Sequence, residues 1–129
     1  MKQVIGAVAL VVPDYDRAIA FYTQKLRFDL IEDTHLSDSK RWVLVAPKGS
    51  AETRLLLALA DSDDQRATIG KQAGGRVFLF LETDDFDRDH QAMLDKGVQF
   101  LEEPRKEAYG KVAVFQDPFG NKWDLIERV

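Results

Sequence analysis

The chain contains no cysteine. That one absence excludes disulfides, thiolate metal sites and cysteine nucleophiles together. Histidine is scarce: only His35 and His90 occur, and neither belongs to an HxxxH or Glu-x-x-His pair of the kind that sets two ligands on one helix face. Positive charge is not in excess. The 129 residues carry 18 Lys and Arg against 22 Asp and Glu, a formal net charge of −4, which argues against the basic footprint of non-specific nucleic-acid binding. No basic amphipathic helix points to a membrane surface. The opening Met1-Lys2-Gln3-Val4-Ile5 leads into an apolar run too short to span a bilayer and shows no secretory signal with a small-residue cleavage site. Neither a Gly-x-Ser-x-Gly elbow nor a glycine-rich phosphate loop is present. Glu102 and Glu103 are adjacent, so in a strand they point to opposite faces and cannot pair as acid and base. The expectation is a soluble cytoplasmic protein without nucleic-acid or membrane partners.

What is present is an internal repeat. Asp14-Tyr15-Asp16-Arg17 recurs 71 residues later as Asp85-Phe86-Asp87-Arg88. Each copy follows an apolar, strand-like run and opens a helix-like one, which implies two similar modules. The hydrophobic fraction of 45% is ordinary for a globular domain. A half-chain of about 65 residues is marginal alone, so the halves should share a core or pair with a second chain.

The pattern along the chain reads β-α-β-β-β, twice. Val4 to Val12 is rich in β-branched residues and reads as a strand buried on both faces. Asp14 caps a helix to about Leu26, with Tyr15, Ile19, Tyr22 and Leu26 on one face. Strands follow over 28–34, 41–46 and 53–59, with a hairpin loop at 35–39 and a turn at 47–50. The polar stretch 61–75, with Asp61, Asp63 and Asp64, reads as a solvated linker. Module two then supplies a strand over 76–83 and a helix capped by Asp84 or Asp85 that closes at Gly97. Strands over 98–102, 111–116 and 122–127 complete it, the last two joined by the Asp117-Pro118-Phe119-Gly120-Asn121 turn. Module one thus occupies about 1–60 and module two about 76–129, within one domain spanning 1–129.

Three segments carry a family likeness: Val11-Val12-Pro13-Asp14-Tyr15-Asp16-Arg17-Ala18-Ile19-Ala20-Phe21-Tyr22, then Leu26-Arg27-Phe28, and finally Asp117-Pro118-Phe119-Gly120-Asn121-Lys122-Trp123-Asp124-Leu125. With these the chain resembles the vicinal oxygen chelate superfamily, which includes glyoxalase I, extradiol dioxygenases, and bleomycin- and fosfomycin-resistance proteins. The family often has glycine where Arg27 stands. The resemblance implies an α+β fold in which two βαβββ modules form a curved mixed sheet around a shared cleft, and it implies a homodimer. Chemistry does not follow from the fold.

In metal-dependent relatives, each module supplies His, Gln or Glu ligands from its first and fourth strands. The first-strand ligand lies seven residues before the capping aspartate. The resemblance puts Ala7 and Phe78 there, and neither can bind a metal. The fourth strand of module one, 53–59, has no imidazole or carboxylate, and Asp124 stands where relatives carry glutamate. One short carboxylate is a poor site for a divalent ion. The expectation is therefore no metal and no cofactor.

What remains reads as an aromatic small-molecule site with sparse polar groups. Alternation sets Phe78, Phe80 and Glu82 on one face, and Ala7, Ala9 and Val11 on one face of the first strand. Phe78 and Phe80 either wall a ligand or simply fill the cavity. Asp124 is either an acceptor or charge partner for a cationic ligand, or a surface or ion-paired carboxylate. One of Arg41 and Trp42 should face the cleft. Trp42 could stack on a planar or cationic ligand or pack in the core. Tyr109 and Lys111 could close over a ligand, or lie at an exposed strand end. His35 reads as a loop residue. His90, spaced with Phe86 and Met93, reads as a helix-packing imidazole. The first functional expectation is a metal-free binding protein for a small aromatic or amphipathic molecule. The alternative is a divalent-metal-dependent lyase, isomerase or dioxygenase. A third is an interaction module with a filled cavity.

Overall fold

The computed structural model describes residues 2–129. The described residues divide into two compact units, the first ending at Ile69 and the second running Gly70–Val129.

In the first unit, β1 (Ala7–Val12), β2 (Asp29–His35), β3 (Arg41–Ala46) and β4 (Arg54–Leu59) form a mixed sheet in the order β1-β4-β3-β2. β1 runs parallel to β4, and the other pairs are antiparallel. Helix α1 (Tyr15–Ala20) starts where the Asp14 carboxylate accepts the Arg17 N–H at 2.8 Å, a standard N-cap. It continues as a π-helical turn over Phe21–Lys25, so the predicted helix reaches its expected length with a wider last turn. Leu26 N–H donates to Phe21 and Phe28 N–H to Tyr22. Between them Arg27 takes φ 63°, the left-handed conformation that only glycine adopts without cost.

The helix side of this sheet is the core: Leu10, Val12, Val43, Val45 and Leu57 are fully buried with Ala18 and Tyr22 of the helical segment. The predicted double-sided burial of 4–12 does not hold. Val4 and Ile5 precede the strand and are 89% and 72% exposed, and Ala7 to Ala9 are exposed as well. β1 is an edge strand of this unit and has one neighbour. The stretch expected to be a bare linker contains α2 (Asp63–Thr68), capped by Ser62, whose hydroxyl accepts the Gln65 N–H at 3.1 Å. Asp63 and Asp64 lie in its first turn, where carboxylates suit the helix dipole.

The second unit repeats the plan with one addition. β5 (Leu79–Glu82), β6 (Gln99–Phe100), β8 (Gly110–Gln116) and β9 (Lys122–Arg128) are ordered β5-β9-β8-β6. A short strand β7 (Arg105–Glu107), not expected from the sequence, forms a hairpin with β8. Helix α3 (Phe86–Asp95) is capped by Asp85 and released at Gly97, φ 81°. A file of aromatic contacts fills its core: Phe86 stacks on His90, His90 meets Phe100, Phe100 meets Phe115, and Phe115 stacks on Trp123 at 5.8 Å. His90 is thus a packing imidazole, as its spacing predicts.

Candidate ligand-binding faces

Each sheet has a helix side and an open side, and the two-residue strand period decides which side chain goes where. In the first unit Arg41 faces the helix. Its guanidinium lies over the Tyr15 ring, 5.1 Å from the centroid, and pairs with Asp16 of α1 at 2.9 Å and Asp33 of β2 at 2.7 Å. The hydrogen bond from Arg41 holds the Asp33 carboxyl below its usual range. Arg41 is therefore engaged on the side opposite Trp42. Trp42 is half-exposed and shares the open side with Leu44, Leu56 and Ala9, the last three adjacent in register. Ala7 and Arg54 are paired next along that side. His35, at the end of β2, is exposed.

In the second unit Lys111 takes the place of Arg41. Its ammonium lies 5.3 Å from the Phe86 centroid and pairs with Asp87 of α3, so it too faces the helix. The open side carries Phe80, Asp124 and Val114, side by side in register, with Glu82 and Ile126 next. Phe78 lies just before β5 and is held to β9 by donating its N–H to Lys122 O at 2.9 Å. Alternation keeps it on the side of Phe80, which is 63% exposed. Tyr109 sits at the β7–β8 turn, half-exposed, and its carbonyl accepts the Val129 N–H.

Asp124 is 9% exposed, and its Oδ1 has no hydrogen-bond partner. Burial pushes its carboxyl above the usual range, Arg105 opposes the shift and Glu102 adds to it. The sequence did not single out Arg105, and it offered Glu102 only as half of a rejected acid–base pair with Glu103. Glu102 Oε2 accepts from Arg105 Nε at 2.9 Å and from the Val114 N–H at 3.0 Å. Arg105 opens β7, a strand too short to show as a period. The turn before β9 fixes where Asp124 emerges. Asp117 Oδ1 accepts the N–H groups of Phe119 and Asn121, each at 2.9 Å, and Asp117 Oδ2 accepts Asn121 Nδ2 at 2.7 Å. Gly120, φ 95°, completes it.

The register also names the fourth-strand position of the first unit. Phe80 pairs with Asp124, and Ala9, its repeat counterpart, pairs with Leu56. By the family resemblance, the positions to compare with metal ligands are Ala7 and Leu56 in the first unit and Phe78 and Asp124 in the second, and only Asp124 bears a side-chain oxygen. Among the described residues no three His, Cys, Asp or Glu side chains gather to hold a metal. These residues do not fit a divalent ion of the family type.

Comparison with known proteins agrees with the fold. The chain belongs to the glyoxalase/bleomycin resistance protein/dioxygenase superfamily, whose family model matches residues 4–125. It is 56% identical to an uncharacterized protein of Shewanella frigidimarina (strain NCIMB 400), over 98% of this chain and 95% of that one. The crystal structure of UcmS2 aligns with a TM-score of 0.85 and 30% identity, covering 98% of each chain. That of TnmS3, described as an antibiotic binding protein from Streptomyces sp. CB03234, aligns at 0.76 with 30% identity, over 100% of this chain and 98% of that one. No described helix is long and apolar enough to cross a membrane.

Proposed function

We propose that this protein binds a small aromatic or amphipathic molecule without a metal, acting as a cytoplasmic homodimer. The observation that carries the reading is the set Ala7, Leu56, Phe78 and Asp124: three of the four family ligand positions have apolar side chains. A site built to hold a hard divalent ion needs several oxygen or nitrogen donors. Taken unit by unit, Ala7 and Leu56 are apolar, and Phe78 accompanies one buried acid, Asp124; apolar side chains with sparse polar groups are the usual make-up of a small-molecule site. The exposed Phe80 and half-exposed Trp42 give rings on which a planar ligand can pack. The likeness to TnmS3, an antibiotic binding protein, supports the binding of a small molecule. The exposed Val4, Ile5 and Val8 supply apolar surface of the kind a second copy would cover.

Two measurements test it together. Protein purified without chelator is analysed for metals, and its melting temperature is followed across a library of aromatic compounds. The expected result is no stoichiometric divalent ion and a subset of compounds that raise the melting temperature. One bound ion per chain would overturn the metal-free reading.

A further inference from the structure

Two buried side-chain atoms among the described residues lack a hydrogen-bond partner: Asp124 Oδ1 and Arg54 Nε. Both residues lie on the open sides of their sheets, away from the helices. Asp124 belongs to the site already discussed; Arg54 does not. It opens β4, in register with Ala7 of β1, and two residues from Leu56 on the same side. Its backbone N–H donates to Gly6 O at 3.1 Å, so its backbone is fixed in the ladder. Among the described residues no carboxylate pairs with its guanidinium, whereas Asp33 and Asp16 are held by Arg41, and Asp29 by Lys48 and the Gly49 N–H. The contrast with the second unit is direct. Phe78, the repeat counterpart of Ala7, lies against Lys122, and Lys122 Nζ donates to Gly75 O at 3.1 Å. Lys122 Nζ finds an acceptor within the chain, and the buried Arg54 Nε finds none.

A guanidinium donor withdrawn from water without an acceptor is costly. The planar fork of arginine matches an oxyanion better than any other side chain does. Beside it, Ala7 and Ala9 are exposed and present only methyl groups on that face. We infer that Arg54 forms an oxyanion subsite, which selects aromatic ligands bearing a carboxylate or sulfonate. The inference rests on the binding function proposed above, and adds the charge of the ligand to it.

The test uses two fluorescent probes with one aromatic skeleton: 8-anilinonaphthalene-1-sulfonate, and N-phenyl-1-naphthylamine, which lacks the sulfonate. The native protein should bind the sulfonate more tightly, and added salt should narrow the gap. Arg54→Gln should weaken the sulfonate by about tenfold or more, the loss of one charged hydrogen bond, and leave the neutral probe unchanged, which also reports a folded site. Arg54→Lys keeps the charge without the fork and should fall between. If Arg54→Gln fails to fold, the lysine variant decides: a loss for the sulfonate alone supports the subsite, and an equal effect on both probes overturns it. Native protein that binds both probes alike overturns the subsite and leaves the binding function standing. Native protein that binds neither overturns both.

Discussion

The Lys111 ammonium lies over the Phe86 ring and reaches the carboxylate of the next residue, Asp87. Arg41 does the same over Tyr15 with Asp16. This explains why the repeated tetrapeptide has its form. The first aspartate caps the helix, the aromatic ring packs under a strand cation, and the second aspartate holds that cation. Two residues expected as ligand contacts, Arg41 and Lys111, are fasteners between sheet and helix.

Replacing Arg41 with methionine should therefore cost stability rather than binding. The loss should be about 1 kcal/mol, since Asp16 is largely exposed and surface pairs are weak. Asp33 has a lowered folded-state pKa. Its contribution is thus present above the ordinary carboxylate pKa of about 4 and lost as pH falls through the lowered value. Urea unfolding at pH 7 and at pH 3 should show the gap between native and Arg41→Met protein shrinking in acid. A gap independent of pH would remove the ion pair from the account.

Asp124 has the opposite sign. Burial raises its pKa, so its contribution is fully present below the unfolded carboxylate value and is lost as pH rises through the folded one. Asp124→Asn should raise the melting temperature at pH 7 and change it little at pH 3. A destabilised variant at pH 7 would mean that the carboxylate is held by a favourable partner.

Phe80 is mostly exposed, and an exposed ring contributes little to folding. Phe80→Ala should alter the unfolding free energy by less than about 0.5 kcal/mol, and should weaken N-phenyl-1-naphthylamine severalfold. Phe78→Ala should weaken the same probe by about tenfold while the protein stays folded. Unfolding of the Phe78 variant without an effect on binding would place that ring in the core.

Arg27 occupies the left-handed region at φ 63°, at a cost of about 1–2 kcal/mol. Glycine there removes the strain but frees the unfolded chain by about 0.4–1 kcal/mol. Arg27→Gly should thus give a small net rise in stability, seen as a higher denaturant midpoint. A fall would show that the arginine side chain holds something.

Much of the fold was legible. Asp14 declared the first helix, and Asp84 or Asp85 the second, because a capping carboxylate ahead of an apolar face is a local signal; the structure chose Asp85. The seven-residue strands around Asp117–Asn121 are bounded by turn chemistry. β7 and α2 were missed because three and six residues carry too little period to read. The exposure of Val4 and Ile5 was missed because composition records hydrophobicity and not position at a sheet edge. At the candidate site, alternation placed Phe78 and Phe80 together. It could not choose between Arg41 and Trp42 until the Tyr15–Arg41 contact fixed which side the helix covers. Arg54 stayed hidden among leucines, because an unmet donor is visible only when its surroundings are known.

The two-residue alternation of the strands has a consequence for how this scaffold can change. The fasteners Arg41 and Lys111 occupy odd-numbered positions of β3 and β8, while Trp42 and Val114 occupy even ones. Exchanging side chains on one side leaves the anchorage on the other untouched. Ligand preference can therefore drift, or be redesigned, through a handful of neighbouring positions, at little risk to folding.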